Sequence, residues 1–92
     1  MALIITNENG TLFFKGCINS STSEAFRNHL LTILNNKKPL VINMEAVTKI
    51  DTSGLLALYK IYKRTLVYNL EFKITGRGRK DIYRALKIPV LA

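Results

Sequence analysis

Cysteine occurs once, at Cys17, and histidine once, at His29. A lone thiol cannot close an internal disulfide, and neither residue has a second Cys or His at metal-ligand spacing, so the sequence offers neither a disulfide framework nor a metal centre. Such usage fits a reducing compartment. No apolar run approaches the ~20 residues that span a bilayer, and Met1 to Thr6 lacks the basic region and long apolar core of a signal peptide. The expectation is a cytoplasmic protein without a transmembrane segment. A catalytic triad and a P-loop are absent, and Gly76-x-Gly78 lacks the third glycine of a dinucleotide fingerprint, so it reads as a turn. His29 has no nearby acid or cysteine partner and reads as a structural or solvated histidine. No enzyme activity and no cofactor are expected.

Acidic residues are also scarce, six against fourteen Lys and Arg, for a net charge of +8. The excess is lopsided: Lys60 to Ala92 holds nine basic residues and only Glu71 and Asp81. Such a surface either solubilises the fold or attracts phosphate, acidic protein or anionic lipid, with no sequence specificity implied. With 48% hydrophobic residues in 92, the chain is expected to be one globular domain, residues 1–92, with one modest core. There is no room for a separate catalytic domain.

The pattern predicts the order β-β-α-β-α-β-α in a mixed sheet with helices mainly on one face. Leu3-Ile4-Ile5 and Thr11 to Ile18 read as strands of a hairpin around Asn9-Gly10, both of which tolerate positive φ. Ser21 and Glu24 have capping-box spacing ahead of Phe26, Leu30, Ile33 and Leu34, one helical face that should end near Asn35-Asn36. Leu40 to Met44 reads as an interior strand, and Glu45 to Ile50 as a connection out of it. The next helix carries Leu55, Leu58, Tyr59, Tyr62 and Leu66 as its core stripe, widened by Ala57 and Ile61, and shows Leu56, Lys60, Lys63 and Val67 on its opposite face. Leu70 to Thr75 alternates as a half-buried strand. Arg79 to Lys87 reads as a short helix with Ile82, Ala85 and Leu86 inward, stopped by Pro89. Cys17 reads as a small core residue.

Chemistry concentrates in Asp51-Thr52-Ser53-Gly54, where a strand feeds a helix. Acid and hydroxyl residues here can be ordinary caps, with glycine allowing a tight turn. Equally, a helix N-terminus presents unpaired N–H groups and a positive dipole end, a fitting place for a hydroxyl that carries a phosphate.

The segment from Leu40 to Leu55, with Asp51-Thr52-Ser53-Gly54-Leu55 at its end, resembles the central signature of STAS domains, found in bacterial anti-sigma-factor antagonists and sulphate-transporter tails. Phe14 to Asn19 falls where that family usually has Gly-Glu-hydrophobic-Asp. The resemblance implies a non-enzymatic partner-switching protein. A turn hydroxyl, Ser53 first and Thr52 second, would be phosphorylated by a partner serine kinase that is often the anti-sigma factor. Asp51 and Asn19 would support the site, and Gly54 would admit close approach by the partner. Leu56, Lys60 and Lys63 would make partner contacts. Here Asn19 and Asn43 stand where the family often has Asp, and Cys17 where it often has Glu, which removes negative charge near the expected site.

Two alternatives remain. Single-domain relatives also serve as cytoplasmic subunits of lipid-transporting ABC systems, docking on the ATPase through the same helix. A nucleic-acid-binding role through Arg77, Arg79, Lys80, Arg84 and Lys87 rests on charge alone, without interleaved aromatics.

Overall fold

A computed structural model describes residues 3–87. Strands β1 (Leu3–Glu8), β2 (Thr11–Ile18), β3 (Leu40–Ile50) and β4 (Phe72–Thr75) form one sheet in the order β1-β2-β3-β4. Helices α1 (Ser23–Asn35), α2 (Thr52–Tyr68) and α3 (Arg79–Leu86) follow β2, β3 and β4 in turn. This is the expected element order, and Pro89 lies outside the described residues.

The hairpin forms as its turn residues require. Asn9 and Gly10 adopt φ of 54° and 89°, and Glu8 pairs with Thr11. Because pairing runs from Leu3–Gly16 to Glu8–Thr11, β1 is longer than its apolar start suggests. β2 and β3 then pair in parallel, as do β3 and β4.

β3 does not stop at Met44. The stretch Glu45 to Ile50, expected as a connection, stays in the ladder opposite β2, with register shifts between Phe13 and Lys15 and between Gly16 and Cys17. Backbone pairing with the whole of β2 outweighs the loss of apolar character after Met44. β4 is conversely shorter than the alternation predicts. Leu70 is spent on the end of α2, its N–H donating to the Thr65 carbonyl behind the left-handed cap Asn69.

Leu12, Phe14 and Ile18 of β2, Leu40, Ile42 and Met44 of β3, and Phe72 and Ile74 of β4 point into one core. It is closed by Phe26, Leu30 and Leu34 of α1, Leu58 and Ile61 of α2, and Ile82, Tyr83 and Leu86 of α3. Phe14 and Phe26 meet edge to face at 4.8 Å, fixing α1 on the sheet. On the other face Ile4, Thr6, Lys15 and Lys73 are exposed.

Four features depart from expectation. The capping box does not form: Thr22, not Ser21, precedes α1, and its buried hydroxyl accepts from the Asn19 N–H and donates to the Cys17 carbonyl, each at 2.9 Å. Cys17 is half-exposed, its Sγ 3.4 Å from Thr48 Oγ1, because strand alternation puts it on the face opposite Phe14 and Ile18. Ala85 is exposed, while Tyr83 is buried with its hydroxyl accepting from the Ile74 N–H at 2.8 Å. Finally, α2 is rotated from its expected stripe. It buries Gly54, Ala57, Leu58, Ile61 and Thr65, whereas Tyr59 and Leu66 are exposed. Small residues let its backbone approach the core closely, so the bulkier row is left outside.

Candidate functional site

β2 and β3 are parallel and end together, Ile18 opposite Ile50. The two loops that leave them are therefore neighbours, and the Asp51 N–H donates to the Ile18 carbonyl at 3.0 Å. Asn19 organises the first loop: its carbonyl accepts from Thr22 and Ser23, and its side-chain oxygen accepts from the Ser21 N–H. Asn19 and Asp51 are thus brought to one edge.

Asp51 is the N-cap of α2. Its Oδ1 accepts from the Gly54 N–H at 3.1 Å and from the Ser53 hydroxyl at 2.6 Å. The Ser53 hydrogen bond, followed by that of Gly54, holds the Asp51 carboxyl below its usual 3.8, aided by the Ser20 backbone and opposed by desolvation. The cap is therefore a carboxylate at neutral pH. It stabilises the helix end through one orphan N–H and the dipole together.

Gly54 has an internal reason to be glycine. A Cβ there would stand 2.6 Å from Ile18 Cγ2 and 2.8 Å from Ile50 Cγ1. Gly54 is buried against the ends of β2 and β3.

The two hydroxyls face different surroundings. Thr52 is exposed and opens on a groove between α2 and α3 of about 560 Å³, whose walls include Leu55, Tyr59, Leu66 and Leu86. Ser53 is half-buried and opens on a smaller groove of about 300 Å³ between α1 and α2, with Glu24, Arg27 and Lys60 in its lining. Leu56 borders both grooves and is 51% exposed, with Lys60 and Lys63 exposed beside it. Nothing in the primary sequence singles out Arg27. The signal for it is topological, since strands ending side by side start their helices side by side.

Asn43 does not join this site. It lies further back on β3, its side-chain oxygen accepting from the Glu45 N–H. His29 is exposed on α1. Among the described residues no group of three or more His, Cys, Asp or Glu could hold a metal ion, and no helix is long and apolar enough to cross a membrane. Of the basic residues of the third alternative, Arg77 pairs with Glu45 at 3.1 Å and Arg84 with Asp81 at 3.3 Å; these two arginines, Lys80 and Lys87 are exposed, and Arg79 is half-buried.

A family model of the STAS domain matches residues 1–86. The chain belongs to the STAS domain family. Solved STAS-like folds agree with this membership. An anti-sigma factor antagonist from Mycobacterium paratuberculosis superimposes with a TM-score of 0.72 at 22% identity, over 97% of this chain and 83% of that one. The anti-sigma factor antagonist SpoIIAA in its unphosphorylated form gives 0.61 at 13% identity, over 95% and 100%. A structure named Mglu gives 0.65 at 19% identity over 83% of this chain, which spans about a fifth of that protein's length, 20%. No curated protein sequence matches the chain. At these identities the structural likenesses establish the fold.

Proposed function

We propose that this STAS domain is a partner-switching protein of the anti-sigma-factor-antagonist kind, non-enzymatic itself and regulated by phosphorylation of Ser53. The observation that carries the reading is the Ser53 hydroxyl. It sits in the first turn of α2, opens on a groove, and stands one helical turn from exposed Leu56 and two from Lys60. The partner would be a serine kinase that also sequesters a sigma factor. In the modifying step Ser53 Oγ attacks the γ-phosphorus of ATP, the bond from that phosphorus to the β,γ-bridging oxygen breaks, ADP leaves, and the hydroxyl proton passes to a base on the kinase.

Phosphorylation adds roughly −1.5 to −2 charge at pH 7. A partner surface that fits a neutral hydroxyl beside an apolar side chain must then desolvate that charge or release the domain. No refolding is required. Incubation with ATP and the cognate kinase should add one phosphate to the peptide bearing Ser53, and none in Ser53→Ala. Failure to modify the wild type, together with equal partner binding by wild type and Ser53→Asp, would refute the reading.

The groove beside Thr52 favours one second reading, docking on the ATPase of a lipid-transporting ABC system. Its walls carry the apolar side chains of Leu55, Tyr59 and Leu66, a surface suited to docking. Stable co-purification with an ATPase, without phosphorylation, would select it.

A further inference from the structure

We propose that Arg27 and Lys60 form a cationic clamp that receives a phosphoryl group carried on Ser53. The proposal rests on the reading of Ser53 as the modified hydroxyl, and it assigns what happens to the phosphate afterwards.

The placement follows from the topology. α1 and α2 begin at the same edge, so Arg27, one turn into α1, lines the groove on which Ser53 opens. Ser53 and Lys60 stand at i and i+7 on α2, along one stripe of that helix. Both cations are exposed, and among the described residues neither is engaged in an ion pair, whereas Arg77 and Arg84 are. Glu24 is the one carboxylate in the lining, placed in the first turn of α1. The groove next to Thr52 differs. Its walls are mainly apolar, and its cations are Lys63 and Lys87.

Modification also removes the reason for Ser53 to point at Asp51. The unmodified hydroxyl donates its proton across 2.6 Å to the Asp51 carboxylate. A phosphate ester has no proton on that oxygen and brings its own negative charge, so carboxylate and phosphate repel. The groove, whose lining does not include Asp51, offers a guanidinium fork suited to two phosphate oxygens and an ammonium suited to the third. Seating the phosphate there joins α1 to α2 through an ion pair. It also withdraws Lys60 from any partner, so a single event both adds charge and takes a contact away.

The test installs phosphoserine at position 53 during translation, without a kinase, and follows the phosphate by phosphorus NMR across a pH titration. The second ionisation of the phosphate should lie about one unit below its ordinary value near 6. In the Arg27→Gln/Lys60→Gln double variant most of that shift should vanish. Circular dichroism on the unmodified variant checks that these surface changes leave the fold intact, and phosphothreonine at position 52 serves as control. Identical titration of phosphoserine 53 in the wild-type background and the double variant overturns the clamp, as does an equal response of phosphothreonine 52, which would mean a diffuse field. Because no kinase takes part, a missing kinase sinks the switch without touching this result. A missing clamp likewise leaves the switch to act through charge alone.

Discussion

The Ser53 hydroxyl and the Asp51 carboxylate are joined by a 2.6 Å hydrogen bond, so the candidate phosphoryl acceptor supports the cap of its own helix. That bond is also the main reason the Asp51 carboxyl lies below its usual range. A group whose folded value is depressed contributes its full stability above the unfolded value and loses it as pH falls through the folded one. The melting temperature should therefore drop on acidification below about pH 4, and Asp51→Asn should drop less. Ser53→Ala, which keeps the Gly54 bond, should fall between them. Thermal melts by circular dichroism at several pH values would show this ordering, and equal acid sensitivity in wild type and Asp51→Asn would contradict it.

Gly54→Ala tests the packing under the turn. Its new methyl would meet Ile18 and Ile50 at 2.6 and 2.8 Å, distances that force movement of strand-end side chains. Overpacking of this kind costs about 1–3 kcal/mol. Chemical denaturation should report that loss with an unchanged slope, and partner binding should weaken because Thr52 and Ser53 shift with the backbone. A neutral effect on stability would mean that the strand ends yield freely.

Tyr83→Phe removes the acceptor of the Ile74 N–H. The donor is buried and β4 lies at the sheet edge, so no neighbouring strand replaces the lost partner. A cost of about 1–3 kcal/mol is expected, with faster amide exchange at Ile74. Unchanged exchange there would show that another acceptor serves.

Leu56→Asp should leave the melting temperature within a few degrees of wild type, since the side chain is 51% exposed. Binding to the cognate kinase should fall by about tenfold or more, an apolar contact being exchanged for a charge that must be desolvated. Titration calorimetry decides between this and an incidental surface leucine.

The order of elements was legible because each carries its own period and punctuation, from Asn9-Gly10 to the alternation of Leu70 to Thr75. Strand and helix limits were less so, because partners set them: Glu45 to Ile50 looks like a connection until β2 pairs with it. The rotation of α2 was hidden for a related reason. Leu55, Tyr59 and Leu66 outweigh Gly54, Ala57 and Thr65 in hydrophobicity, yet close approach to the core favours the smaller set. In the site, the turn from Asp51 to Gly54 could be read from spacing as a helix start, while the roles given to Thr52, Ser53 and Leu56 came from the resemblance to the STAS signature. Arg27 could be read from neither, since its relation to Ser53 depends on two parallel strands ending level.

Burial of Gly54 against Ile18 and Ile50 has a bearing on how such a domain can diversify. The seat beneath the hydroxyls is anchored in the interior, while the residues a visitor would touch project from the far side of the same helix. Exchanges along that outer row leave the platform intact, so the outward surface and foldability are free to vary separately.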